Sequence, residues 1–153
     1  MKKLNKFLAV AIVIIFIASC NNDDEMDLTP PILTEKQLQG NWRISYFWDQ
    51  TVRTNEYQGF VFTFINSDID VDANGTDING TYDIWFNQIN GQQHTILDVV
   101  FADAPSINLS DKMRELREDW IVKKISENGN NIEFEELQSN NPPEILHFTR
   151  ITN

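Results

Sequence analysis

Short runs in which apolar and polar residues alternate, cut by Asn-Gly pairs, fill most of the chain beyond position 40. A period of two places successive side chains on opposite faces of an extended strand, so each run reads as one half-buried strand. Trp42, Ile44, Tyr46 and Trp48 share one face, with Arg43, Ser45 and Asp49 opposite. Phe60, Phe62 and Phe64 repeat the pattern, then Ile69, Val71 and Ala73 between aspartates, then Tyr82, Ile84 and Phe86. Asn74-Gly75, Asn79-Gly80, Asn90-Gly91 and Asn128-Gly129 punctuate these runs, and Asn90-Gly91 has the composition of a two-residue hairpin turn.

The stretch 95–102 is apolar on both faces and calls for cover on both. A helix capped by Ser110 and running to about Glu118, with Leu109, Met113 and Leu116 in one stripe, is the expected cover. Further strands are expected near 119–126, 131–137 and 145–152. At the front, Thr34-Glu35-Lys36-Gln37 fits a capping box and Gly40 a stop, giving one helical turn over 35–39. No long helices alternate with strands, which argues against a parallel α/β sheet. The expected fold is all-β: about eight antiparallel strands closing up-and-down into a barrel, with one short helix between strands five and six.

The chain begins differently. Lys2, Lys3 and Lys6 precede an apolar run from Phe7 to Ile17, and Ile17-Ala18-Ser19 leads to Cys20, the only cysteine. This order is that of a secretory signal with a cleavage site, and the run is short for a membrane-spanning helix of about 20 residues. It resembles the lipobox of bacterial lipoproteins. The resemblance implies removal of residues 1–19, lipid on the Cys20 thiol and amino group, and a membrane as partner through that anchor. Residues 20–33 read as a tether, acidic at Asp23, Asp24 and Glu25 and broken by Pro30-Pro31. The acidic run after the cysteine resembles the surface-export signal of Bacteroidota lipoproteins, which implies the outer membrane and its outer face. A plain solvated linker on a periplasm-facing lipoprotein is the alternative.

Residues 34–153 form the folded domain. After cleavage nine Lys and Arg remain against 23 Asp and Glu, a formal charge of −14. Such an exterior keeps a domain soluble and argues against nucleic acid or anionic membrane surfaces as partners. With Cys20 expected to carry lipid, neither a disulfide nor a cysteine-based metal site or nucleophile remains.

Leu38-x-Gly40-x-Trp42, a helical turn leading into the first strand, resembles the Gly-x-Trp signature of the lipocalins, and Arg150 in the last strand stands where they place an arginine across that tryptophan. The stretches 42–47, 59–64, 80–82, 116–120 and 146–148 extend the similarity to small lipocalin-like lipoproteins of Bacteroidota. The chain departs from the lipocalin pattern in lacking a mid-chain Thr-Asp-Tyr segment and in placing its helix before the sixth strand. The resemblance implies a calycin-type barrel, with Gly40, Trp42 and Arg150 structural. Trp42 would plug one end and Arg150 stack on its ring.

An eight-stranded barrel is wide enough either to be filled by side chains or to hold one small molecule. If it is open, Tyr46, Trp48, Phe62, Phe64, Tyr82, Phe86 and Phe101 are the candidate lining, by their shared parity, and the ligand is small and apolar or amphipathic. If it is filled, the domain recognises a glycan or a protein through its exterior. Trp85, of opposite parity, is a possible sugar-stacking platform. Asp70-x-Asp72-x-Asn74-Gly75 matches the first half of a calcium loop, but Thr81 stands where the bidentate glutamate belongs, and alternating aspartates on a wet strand face explain the pattern equally. Glu133, Glu135 and Glu136 interleave with apolar residues as a solubilising face does, and His94 and His147 have no metal or nucleophile spacing. No cofactor and no enzymatic activity are expected.

Overall fold

The computed structural model describes residues 29–102, 104–137 and 142–152. Residues 1–19 and the lipid-attachment residue Cys20 lie outside the described residues, as does most of the tether. Among the described residues, no helix is long and apolar enough to cross a membrane.

Helix α1 spans Glu35–Leu38. The eight strands of the barrel are β1 (Gly40–Asp49), β2 (Phe60–Ile65), β3 (Asp68–Ala73), β4 (Asp77–Ile89), β5 (Gln92–Phe101), β6 (Asp119–Ile125), β7 (Asn131–Glu136) and β8 (Ile145–Arg150). Each pairs antiparallel with the next, and β8 pairs back onto β1 from Trp42↔Arg150 to Trp48↔Ile145, which closes the cylinder. Closure leaves the barrel no free edge. Thr51–Val52 adds a two-residue strand to the end of β1, and a 3-10 turn follows at Thr54–Tyr57. Helix α2, Ile107–Glu115, lies between β5 and β6.

Hydrophobic alternation produces the core directly. Phe60, Phe62 and Phe64 on β2, Ile69 and Val71 on β3, Leu97, Val99 and Phe101 on β5, and Phe134, Leu146 and Phe148 on β7 and β8 all point inward and are buried. The exception is β1. A β-bulge between Ile44 and Tyr46 inserts an extra residue, so Phe47 takes the interior position opposite Leu146. A single inserted residue reverses the facing of everything after it. Tyr46 and Trp48, expected inside, therefore leave the interior to Phe47, which is wholly buried; Tyr46 instead meets His147, ring centroids 5.0 Å apart.

The second departure is α2. It is capped by Ser106, whose hydroxyl accepts from Leu109 N at 3.3 Å, so it begins earlier than the Ser110 start expected from sequence. Ser110 instead donates to the Ala104 carbonyl at 3.1 Å. Nor does α2 cover the outside of β5. Met113 and Leu116 join the interior cluster, and α2 shuts one end of the barrel together with the 3-10 turn.

The other end is closed by the segment leading into β1. Thr34 and Gln37 complete the capping box, with Gln37 Oε1 accepting from Thr34 N at 3.0 Å. The buried Leu38 gives its carbonyl to Trp42 Nε1 at 2.6 Å. Arg150 lies over the Trp42 ring, 4.2 Å from its centroid, and donates to the Gln37 and Gln39 carbonyls. Gly40 is required here: its φ is +111°, and a Cβ would lie 2.8 Å from Arg150 Nη1.

Candidate binding surfaces

The interior is occupied from end to end. One buried cluster runs from Leu33 and Leu38 through Trp42, Phe62, Phe64, Phe134 and Phe148 to Tyr57, Met113 and Leu116. Phe148 alone contacts Phe62, Phe64 and Phe134 at centroid separations of 5.3, 5.9 and 5.9 Å. Of the seven candidate lining residues, Phe62, Phe64, Tyr82 and Phe101 are inside, packed against neighbours rather than around a space. Tyr46, Trp48 and Phe86 are not among the buried core. Phe86 retains the inward parity of Tyr82, but β4 has by then run past the barrel wall, and the ring is 50 % exposed.

Two exterior regions carry distinctive chemistry. The first surrounds α2. Arg53, in the loop after β1, reaches Asp49 at 3.1 Å, Glu56 at 2.8 Å and Glu115 of α2 at 2.9 Å. The buried Tyr57 sets its hydroxyl 3.1 Å from both the Lys112 carbonyl and Glu115 Oε2. Burial, reinforced by Glu115, holds this phenol well above its ordinary range, while the Arg53 guanidinium keeps the Glu56 carboxyl below the usual value. These contacts fasten the 3-10 turn to the helix.

Beside them lies a concentration of carboxylates. Strand register sets Asp83 opposite Asp98 and Asp98 opposite Asp119, a row of three aspartates across β4, β5 and β6. Like charges directly opposed across strands are destabilising. Asp98, Arg117, Glu118 and Asp119 border a depression of about 320 Å³. Partial burial raises the Glu118 carboxyl, helped by Glu136 and Asp119, and raises Asp119, helped by Asp98. Glu144 is pushed up to about 7, first by burial and then by Asp49, Glu136, Glu118 and Glu115, and its Oε2 has no hydrogen-bond partner among the described residues. Carboxyls held out of their ordinary range cluster where proteins bind or react. This region was not legible in the sequence, because only the strand register reveals which aspartates face each other.

The second region is the β4–β5 hairpin. Beyond Tyr82 on β4, and before Ile96 on β5, the two strands pair only with each other among the described strands, so residues 85–95 leave the barrel as a two-stranded ribbon. Its turn is Asn90-Gly91, with φ of 52° and 82°. Thr95, buried on the inner face, donates to the Pro31 carbonyl at 3.1 Å and accepts from Leu33 N at 3.4 Å, which lays the incoming chain along the ribbon. Thr29, Pro30, Ile32, Phe86, Gln92 and Gln93 border a mainly apolar groove of about 390 Å³ there.

The remaining sequence candidates have structural explanations. Asp70 and Asp72 are exposed, Asp72 Oδ1 accepts from Gly75 N at 2.6 Å, and Asn74 donates to the Gln58 carbonyl at 3.2 Å, so the loop is held by its own turn chemistry. Among the described residues, no group of three or more His, Cys, Asp or Glu is placed to hold a metal ion. Glu133 and Glu135 pair with Lys124 at 3.5 Å and Lys123 at 3.3 Å across the outer wall. Trp85 is half-buried, in register with Ile96 and through it Ile121, outside the barrel. Compared with protein-family models, curated proteins and solved structures, the chain matches none.

Proposed function

We propose that this chain is an exported, lipid-anchored recognition module of lipocalin-like build, without enzymatic activity, held at the outer membrane by Cys20 and displaying an acidic face to a basic partner. An eight-stranded barrel is compatible with a binding domain of that type, but a packed axis leaves binding to the exterior. The observation that carries the reading is the continuous interior cluster from Leu38 to Met113, which takes up the volume a ligand would need. The Asp83–Asp98–Asp119 row supplies the chemistry: a Lys or Arg side chain docked there would relieve the repulsion between opposed carboxylates.

The test has two arms. An environment-sensitive apolar dye should show no saturable binding that responds to substitution of the interior Phe62. A lysine-rich peptide should bind in a salt-dependent manner, and Asp98→Asn with Asp119→Asn should weaken it. Saturable dye binding that responds to Phe62→Ala would return the site to the barrel interior and overturn the reading.

A further inference from the structure

The ribbon differs in charge from the rest of the molecule. From Ile84 to Leu97 the chain carries no Asp, Glu, Lys or Arg, whereas 23 % of the whole chain is charged. Asn87, Gln88, Asn90, Gln92 and Gln93 give it polar but neutral side chains. Glu35 belongs to α1, Asp68 to the start of β3 and Glu127 to the turn after β6, not to the ribbon. Two large apolar residues nonetheless face solvent beside it: Ile32 is 62 % exposed and Phe86 50 %. They border one groove, which Thr29, the first described residue, also lines.

The short sequence distance from this groove to Cys20 limits what can lie opposite. Cys20 is nine residues before Thr29, and nine extended residues reach about 30 Å at most. If Cys20 bears the anchor, the ribbon end of the barrel is the end held near the bilayer. With nine Lys and Arg against 19 Asp and Glu, residues 34–153 carry a formal charge of −10 and are repelled by an anionic membrane surface, so the domain's approach is favoured through a face without carboxylates. The ribbon meets that requirement, and exposed aromatic and aliphatic side chains among neutral amides suit the headgroup–acyl boundary.

We propose that the β4–β5 ribbon rests on the bilayer that carries the Cys20 anchor, with Phe86 and Ile32 entering the headgroup–acyl boundary, so that α2 and the acidic face point away from the membrane. The inference rests on the anchored reading above and adds an orientation to it. One anchor fixes only a distance; a second, weak apolar contact close to it fixes which way the barrel faces, because the tether makes that contact effectively intramolecular.

The experiment supplies the anchor chemically, so that its outcome does not depend on what the cell attaches. A chain beginning at Cys20, retaining every described residue, is coupled through its single thiol to a maleimide phospholipid in phosphatidylcholine vesicles. Hydrogen exchange is then compared with the uncoupled chain beside the same vesicles. The expected result is exchange slowed about tenfold at residues 87–93 in the coupled chain, with α2 unchanged. Phe86→Asp combined with Ile32→Asp should restore the uncoupled rate without lowering the melting temperature, since both side chains face solvent. Equal exchange in coupled and uncoupled wild type overturns the proposal. So does slowing produced by a neutral oligosaccharide and not by vesicles, which would make the ribbon a glycan site. A native protein whose Cys20 proves bare by mass spectrometry would overturn the anchored reading by a separate measurement.

Discussion

Glu144→Gln is the most incisive perturbation of the acidic face. Glu144 precedes β8, and its carboxyl is pushed from an ordinary 4.5 to about 7. The folded state therefore binds this proton more tightly than the unfolded chain does. The group's contribution to stability is fully present below about pH 4.5 and is lost as the pH rises through about 7. Raising a carboxyl over that interval corresponds to at most about 3 kcal/mol at 1.36 kcal/mol per pH unit, and partial solvation of the side chain reduces the expected effect to about 1–2 kcal/mol. The isosteric amide carries no charge to desolvate. Glu144→Gln should be more stable than wild type by about 1–2 kcal/mol near pH 8 and no more stable near pH 4.5. Urea unfolding followed by tryptophan fluorescence at both pH values reads this as a shift in midpoint at constant slope. Asp119 titrates in the same sense and Glu56 in the opposite one, but both are common to the two proteins and cancel in the difference, whereas Glu118, which interacts with Glu144, contributes to it in the same sense. Because burial is the larger cause, most of the difference should survive in high salt, which screens only the contribution of Asp49, Glu136, Glu118 and Glu115. Parallel stability curves for the two proteins from pH 4.5 to 8 would refute the assignment of Glu144 as a desolvated carboxyl.

Two further substitutions test the frame that positions these surfaces. Phe47→Ala should cost about 3–5 kcal/mol by emptying a core site, and Tyr46→Ala less than about 1 kcal/mol. Reversed costs in chemical denaturation would place the bulge elsewhere. Arg150→Lys should lose about 1–3 kcal/mol, because an ammonium cannot both stack on Trp42 and reach the Gln37 and Gln39 carbonyls. A lysine variant melting with wild type would show that the guanidinium geometry is unimportant.

The barrel was legible because its strands obey one rule over most of their length. Phe60-Val61-Phe62-Thr63-Phe64 needs no tertiary information to declare its buried face, and Asn90-Gly91 declares the turn beside it. β1 was misread after Ile44 for a physical reason. Tyr46, Phe47 and Trp48 are all aromatic, so both parities are apolar and the sequence does not say where the extra residue enters. Phe86 was misplaced because alternation reports facing, not how far a strand continues past its neighbours. For α2, Ser106 and Ser110 both precede helix-compatible residues, and the choice depended on the Ala104 carbonyl that engages Ser110. The Arg53–Glu115 link and the aspartate row join residues distant in sequence, and nothing local marks them among so many other charges.

The topology itself explains why the two ends differ. An up-and-down barrel with an even number of strands returns the chain to the end where it started, so the residues before β1 and those after β8 sit together. The connections at that end are short: two residues at 66–67, two at 90–91 and five at 126–130. The opposite end receives one short turn, 74–76, and three long connections, 50–59, 102–118 and 137–144, which include the 3-10 turn and α2. Length gives those connections room to bring Arg53, Tyr57, Glu115 and Glu144 together, while short turns can do little more than reverse the chain. The ribbon is the exception at the short end, extended by two strands that outrun their neighbours. It is also uncharged in an acidic molecule and bound by Thr95 to the incoming chain. A projection whose only function was to join two strands would not need an exposed Phe86 beside an exposed Ile32. Removing those two side chains would leave the turn and the barrel complete. Their position beside Thr29, nine residues after Cys20 in sequence, is what the proposed bilayer contact would use.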